Sequence, residues 1–335
     1  MNEIINQYEL TEPFQNRNAG FSRWTYARKK GEEYFLKEFL DPVYPTESSL
    51  SLELRQKRIR DCEEFERKQK RFYESVNNAS HGNMVRIFEF FRSDNHYYIA
   101  TEKIVPDDIT MAEMPSIPLE DRLLLCRSLA FEMMNLHKAH IVHADLKATN
   151  ILLKRTNKGK LIGKIIDFDA GFFEDDPPRY EDELGGDQIY LAPEACQFIC
   201  GDSVRLSCKI DVFALGLLFH QYLTGKIPEF DTTEYDYAFD AVLDDQELIL
   251  DPGLPSRLKV IISGMLEGNP EKRLSMANVY SMLSNLDSLP ETDVLFPSMD
   301  SDLECTVERT YKDIAAGDNN SESEEDYWFQ PAGDL

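Results

Sequence analysis

The sequence predicts an α+β chain of two unequal lobes, a small β-rich one followed by a larger helical one. Three observations carry that prediction. Residues 14–37 read as a strand, a turn at Lys30-Gly31 and a second strand. Residues 118–137 set Leu123, Leu124, Leu129, Met133, Met134 and Leu136 on one wide apolar stripe, as an amphipathic helix does. Asp211–Leu223 is so apolar that a helix there has to be buried. The length of 335 residues exceeds what one hydrophobic core usually encloses, so two packed lobes, or a domain and a tail, are expected.

Taken in order, the first strand runs through Trp24, Tyr26 and Ala27, and the second over Glu33–Lys37. Residues 41–51 form a Pro/Ser-rich connection. From 52 to 76 the composition turns helical and highly charged, with Ile59, Cys62, Phe65, Phe72 and Val76 near helical spacing. Strand-like runs at Met84–Phe91 and His96–Ile104 complete the small lobe. Beyond the 118–137 helix come brief strand-like runs at Ile141–His143, Ile151–Leu153 and Lys164–Ile166. Further helices are expected over 256–266 and 275–286. After Pro290 the character changes: residues 290–335 hold thirteen Asp or Glu against two Lys or Arg. Ser321–Asp326 (Ser-Glu-Ser-Glu-Glu-Asp) cannot build a core, and a disordered acidic tail is expected. Thr306, Thr310, Ser321 and Ser323 are hydroxyl acceptors within it.

The formal net charge is −25. A surface of that sign repels phosphate backbones and anionic lipid heads, so neither a nucleic-acid nor a membrane partner is expected. No apolar run is long enough to cross a bilayer, and Met1–Leu10 lacks a signal-peptide core. The six cysteines are scattered. Cys196, Cys200 and Cys208 lie closest together but match no familiar zinc spacing, so reduced thiols and a cytoplasmic location are the plain reading.

The segments that carry chemistry begin with Ile141-Val142-His143-Ala144-Asp145-Leu146-Lys147-Ala148-Thr149-Asn150-Ile151-Leu152-Leu153 and Lys164-Ile165-Ile166-Asp167-Phe168-Asp169. Ala192-Pro193-Glu194, Asp211-Val212-Phe213-Ala214-Leu215-Gly216 and Asn269-Pro270-Glu271-Lys272-Arg273 follow, and Tyr34-Phe35-Leu36-Lys37 precedes them. In this order they resemble the H-R-D-L-K-x-x-N, D-F-G, A-P-E, D-x-x-x-x-G, late-arginine and V-A-I-K motifs of eukaryotic-type (Hanks-type) Ser/Thr protein kinases. The resemblance covers roughly residues 8–288. It implies a bilobal protein-kinase-like fold, with an N-lobe of about 8–103, a C-lobe of about 104–288 and 289–335 as the tail. It also implies transfer of the γ-phosphate of ATP to Ser/Thr hydroxyls of a protein substrate, with Mg²⁺.

Phosphoryl transfer needs a hydroxyl held in line with the γ-phosphate and charge placed to neutralise the transition state. The resemblance assigns the hydroxyl proton to Asp145 and a positive charge near the moving phosphoryl group to Lys147. Asn150 and Asp167 become Mg²⁺ ligands, since hard oxygens suit that ion. Lys37 is placed on the α- and β-phosphates, with Gly20, Ser22, Glu102, Ile104 and Leu152 around the nucleotide. The glutamate that pairs with Lys37 stays open. Counting back from His81 reaches Phe72, an insertion at Asn77–Ser80 moves the position to Gln69, and Glu66 has the right charge. The resemblance further implies that His143, Phe168 and Asp211 belong to an internal spine and that Glu194 pairs with Arg273. Taken singly, an Asp, Asn or Lys is nearly always a solvated surface or turn residue; it is the linked set that argues for chemistry.

The sequence also departs from the pattern. Ala144 replaces the arginine of H-R-D, and the stretch from Asp167 to Glu194 holds no Ser or Thr. Receptor and ligand of activation-loop phosphorylation are both missing, so a non-RD type that this modification does not switch is expected. Asp169 stands in place of the D-F-G glycine. Asp187 stands where Thr is usual, which suggests an ion pair with Lys147. Gly20 is the single glycine of Arg17–Trp24, so phosphate grip there is weaker or built differently. Trp24 and Phe35 replace the small residues that cover adenine.

Two other readings therefore stand beside the kinase. One is a pseudokinase binding module whose adenine pocket Trp24 and Phe35 fill. The other is a small-molecule kinase of the aminoglycoside-phosphotransferase type, which A-P-E and D-x-x-x-x-G argue against. The run Gly185–Glu194 and Phe39-Leu40-Asp41-Pro42 resemble a bacterial branch of the family. That branch implies a PP2C-type phosphatase and a von Willebrand A-type protein as partners, by analogy.

Overall fold

A computed structural model describes residues 3–16, 22–46, 51–181 and 184–286; Gly20 and the acidic segment 289–335 lie outside the described residues. The chain divides into two compact units, Met1–Ala79 with Met84–Val105, and Ser80–Asn83 with Pro106–Leu335.

The first unit is a six-stranded antiparallel sheet backed by one long helix. Its strands are β1 (Ile4–Ile5), β2 (Tyr8–Leu10), β3 (Ser22–Lys29), β4 (Glu32–Phe39), β5 (Ile87–Ser93) and β6 (His96–Glu102), in the order β1-β2-β3-β4-β6-β5. Two hairpins turn on residues that both have positive φ, Asn6-Gln7 at 45° and 70° and Lys30-Gly31 at 53° and 90°. That backbone matches the twist of the flanking strands. In the β3–β4 register Trp24 lies opposite Lys37 and Tyr26 opposite Phe35, which sets these four side chains on one face. The other face holds Leu36, Ala100, Tyr98, Phe91 and Tyr8. Tyr8 stacks on Phe91 at 5.6 Å although four hydrogen-bonded steps separate β2 from β5, so the sheet has curled round on itself. Glu89 of β5 fastens the closure by accepting hydrogen bonds from Asn6, Tyr8 and Lys29 at 3.1, 3.2 and 3.0 Å.

Helix α1 (Leu52–Ala79) covers the Lys37 face. Phe65 meets Phe39 and Tyr97 at 6.0 and 5.2 Å, and the Tyr97 hydroxyl donates to the Cys62 carbonyl. Near the helix end, the Asn77 side chain donates to Ile87 O and accepts from Ile87 N, taking the place of a neighbouring strand.

The second unit is largely helical: α2 (Leu119–Lys138), α3 (Pro193–Ile199), α4 (Lys209–Thr224), α5 (Ala238–Leu243), α6 (Ser256–Met265) and α7 (Met276–Ser284). Two short antiparallel pairs lie among them, β7 (Ile141–Val142) with β10 (Phe172–Phe173) and β8 (Ile151–Arg155) with β9 (Leu161–Ile165). Helix α4 is buried on every side, as its composition requires, and ends at Gly225 with φ 84°. The Arg273 guanidinium, 2% exposed, donates to both oxygens of Glu194 at 2.6 and 2.9 Å and to the carbonyls of Lys209, Glu267 and Gly268. Every donor face of this buried cation is used, which is the condition under which a buried ion pair is tolerated.

His220, wholly buried on α4, is held neutral by its partners. Nδ1 donates to Lys226 O at 2.7 Å, Thr224 Oγ1 lies beside it, and Nε2 accepts from Asp251 N at 3.0 Å. Burial lowers its pKa from 6.5. The unfolded chain then binds this proton at higher pH than the folded one. The stability that His220 contributes is complete above about 6.5 and is lost as pH falls through the depressed folded value. We predict a thermal midpoint that drops between pH 7.5 and 5.0, and a shallower drop in His220→Gln, measured by differential scanning calorimetry. Equal pH slopes for the two proteins contradict this.

Candidate functional site

The segment from His143 to Asn150 takes its shape from a carboxylate far away in sequence. Asp211, in the first turn of α4 and 1% exposed, accepts from His143 N and His137 Nε2 on Oδ2, at 2.9 and 3.0 Å. Its Oδ1 accepts from Ala144 N at 2.9 Å. These bonds hold Ala144 at φ 66°, a left-handed conformation that costs a non-glycine residue on the order of 1 kcal/mol. His143 is fixed in turn. Nε2 lies 3.0 Å from Ile166 O, an acceptor, so it carries the proton, and Nδ1 accepts from Asp145 N at 3.3 Å. Its ring packs on Phe168 at 4.7 Å.

The turn that follows delivers three side chains to one point. Lys147 Nζ donates to Asp145 Oδ2 at 2.7 Å. Asn150 Nδ2 donates to the same oxygen at 2.9 Å and to Asp145 O at 2.8 Å. Both partners of the amide nitrogen are acceptors, so the orientation of the carboxamide is settled and its oxygen is left as a hard donor. Asp145 Oδ1 is buried and has no hydrogen-bond partner among the described residues.

Asn150 and Asp167 lie at the open end of the β8–β9 hairpin, one residue before β8 and two after β9. Ile151 pairs with Ile165, and Ile166 N donates to Asn150 O at 2.9 Å, so the next residue, Asp167, stands beside Asn150. Asp167 is half-buried with φ 64°. Among the described residues no three His, Cys, Asp or Glu gather to hold an ion unaided. One carboxylate and one carboxamide oxygen suit Mg²⁺, which takes few protein ligands and shares its shell with phosphate oxygens and water.

The remaining predicted residues fall in both units. Lys37, 8% exposed, lies on β4 in the first unit, on the face it shares with Trp24 and Phe35. Those two rings are half-buried and stack on each other at 5.4 Å and 27°. Ser22 is buried on β3 and Ile104 is 9% exposed; Glu102 accepts from Arg86 N at 2.8 Å. Glu66 accepts from Lys70 at 2.7 Å, one helical turn away. Leu152 lies on β8 opposite Lys164 in the second unit.

One expectation is corrected. Asp187 does not pair with Lys147, because Asp145 takes that ammonium two residues away, while Asp187 Oδ1 caps its own turn by accepting from Ile189 N at 3.0 Å. A small recess opens beside Asp145, lined in part by Ala144, Gly186, Leu191, Ala195, Ile210 and Ala214. Its lining comes from scattered positions, and no sequence motif announces it.

A sequence profile for the protein kinase domain matches residues 53–283. The chain is similar to serine/threonine-protein kinase ULK3 of Xenopus laevis, 26% identical over 231 residues that span 66% of this chain and 47% of that protein. It is similar to an Aurora kinase of Schizosaccharomyces pombe, 26% identical over 219 residues, 64% of this chain and 58% of the relative. It is also similar to a "Probable serine/threonine-protein kinase" of Clostridium acetobutylicum, 27% identical over 232 residues, 67% of this chain and 34% of the relative. The chain thus spans less than two thirds of the length of each.

Replacing Asp211 by Ala leaves two buried amides unpaired and frees Ala144 from its left-handed conformation. The expected loss is about 3 kcal/mol of stability by urea denaturation, from unsatisfied donors at roughly 1–3 kcal/mol each. A variant within 0.5 kcal/mol of wild type contradicts the role given to this carboxylate.

Proposed function

The chain belongs to the protein kinase domain family, and from that premise we propose that it is a Mg-ATP-dependent protein serine/threonine kinase in which Asp145 takes the proton of the acceptor hydroxyl. The observation that carries the proposal is the division of labour on one carboxylate. Oδ2 is taken by Lys147 and Asn150, while Oδ1 is buried without a partner. An unsatisfied acceptor costs energy, and the Asp145 side chain keeps 15% of its surface exposed, where an acceptor hydroxyl can approach the carboxylate.

In the step proposed, the hydroxyl O–H breaks and its proton passes to Asp145 as the oxygen bonds to the γ-phosphorus. The bond from that phosphorus to the β-phosphate oxygen breaks and ADP leaves. Lys147, already within 2.7 Å of Asp145, keeps a positive charge at the point of transfer. Asn150, its nitrogen spent on Asp145, offers its oxygen as a metal ligand together with the Asp167 carboxylate. Bound Mg²⁺ supplies neutralisation of the phosphate charge. Lys37 is assigned to the α- and β-phosphates by resemblance alone.

Ala144, together with an activation segment free of Ser and Thr from Asp167 to Glu194, supports a kinase that activation-loop phosphorylation does not switch. Companionship with a PP2C-type phosphatase and a von Willebrand A-type protein follows from resemblance alone. A second reading has its own observation: Trp24 and Phe35 stack beside Lys37, as a binding module with a filled base site requires.

Radiolabelled ATP with a generic protein acceptor separates the two. Wild type is expected to transfer label to Ser or Thr, and Asp145→Ala to lose at least about 100-fold, the usual reach of a positioned acid–base group. Equal incorporation by both proteins contradicts the mechanism, and none by wild type favours the binding module. Phosphate found on Tyr180 and required for activity contradicts the absence of a switch.

A further inference from the structure

Glu132 on α2 is 0% exposed, and the kinase chemistry described above makes no use of it. Its Oε1 collects three donors from one tight turn: Ser80 Oγ at 3.1 Å, His81 N at 2.7 Å and Asn83 N at 3.1 Å. Its Oε2 is buried with no hydrogen-bond partner among the described residues. A carboxylate kept in the core with one oxygen unsatisfied is costly, and the gain has to lie in what the other oxygen holds.

What it holds leads to the metal ligand. The turn ends at Asn83, whose side-chain nitrogen donates to Gly163 O at 2.8 Å and whose carbonyl accepts from Ile165 N at 2.7 Å. Asn83 thus grips β9 along the edge that β8 leaves open. The same face of α2, four and three residues apart, presses on β9 directly. A Cβ on Gly163 would lie 2.9 Å from Leu125, 3.0 Å from Ile151 and 3.3 Å from Leu129, so these side chains would have to shift to admit one. Leu125, Leu129 and Glu132 therefore clamp β9, the first two by contact and the third through the 80–83 turn. One residue past the clamped strand, Ile166 joins Asn150 and His143, and Asp167 follows.

We propose that Glu132 is a positioning residue for the Mg·nucleotide site: its carboxylate anchors the 80–83 turn, and the turn fixes β9 so that Asp167 stands beside Asn150. The metal-site part rests on the kinase reading; the anchoring part does not. Gln keeps an oxygen for the three donors, whereas Ala leaves all three without an acceptor.

The test compares full-length wild type, Glu132→Gln and Glu132→Ala by amide hydrogen exchange and by calorimetric titration of Mg·ADP. In Glu132→Ala the Ile165 and Asn83 amides are expected to exchange at least about tenfold faster, while amides in the middle of α4 stay as in wild type. Mg·ADP affinity is expected to fall about 10-fold to 100-fold, the usual effect of removing a partner that orients a metal ligand. Glu132→Gln is expected to restore both. Unchanged Ile165 exchange in Glu132→Ala overturns the anchor. So does exchange that rises equally in every helix, which is loss of stability and nothing more specific. Faster Ile165 exchange with unaltered Mg·ADP affinity overturns the positioning role. If wild type binds no Mg·ADP, the kinase reading and the positioning role built on it fail together, and the exchange data alone still decide the anchor.

Discussion

Two backbone amides and one imidazole converge on the carboxylate of Asp211, and the segment from His143 to Asn150 has its shape because they do. Ala144 cannot adopt its left-handed backbone without a compensating bond, and Asp211 supplies it from the most deeply buried helix of the second unit. Once Ala144 is turned, His143 points inward to Ile166 and Phe168, and Asp145 emerges on the other side with Lys147 and Asn150 beside it. A single buried anion thus translates the rigidity of α4 into the placement of a loop. Rigid support under a reactive loop is the condition for holding reacting groups within a few tenths of an ångström.

The buried polar groups of the second unit fall into two kinds. Arg273 and Glu194 satisfy every donor and acceptor they own, and their pair reads as architecture. Asp145 and Glu132 each keep one buried oxygen without a partner. For Asp145 the spare oxygen belongs to a side chain that borders a small recess. For Glu132 it lies in the core and marks how much the turn at 80–83 requires the other oxygen. The distinction between finished and unfinished hydrogen bonding separates support from chemistry more sharply than burial does, since all four residues are largely buried.

Much of the second-unit site was legible because its chemistry is local. Asp145, Lys147 and Asn150 lie within six residues, and a short hairpin brings Asp167 back to them. The long helices were equally plain from their apolar spacing. What escaped was long-range or compositionally silent. The β1–β2 hairpin turns on Asn6-Gln7, which lacks the glycine that usually betrays a two-residue turn. Helices α3 and α5, of seven and six residues, are too short for periodicity to register. Glu89 and Glu132 look like ordinary helix or strand carboxylates until the fold brings their donors from 49 to 83 residues away. The pairing of Lys147 with Asp187 was misread because Asp145, two residues off, offers the shorter path. In the first unit Trp24 and Phe35 stand out in the sequence as large residues where small ones are usual, and in the structure their rings stack.

The central proposal is that Asn150 and Asp167 hold a metal-bound nucleotide and that Lys37 contributes to binding it. It is tested most directly by calorimetric titration of a non-hydrolysable ATP analogue with and without Mg²⁺, for wild type and Lys37→Ala. The account predicts binding that depends on Mg²⁺ and weakens roughly 10-fold to 100-fold in the variant, as loss of a charge-assisted hydrogen bond implies. Binding that is absent in wild type, or indifferent both to Mg²⁺ and to Lys37, contradicts it.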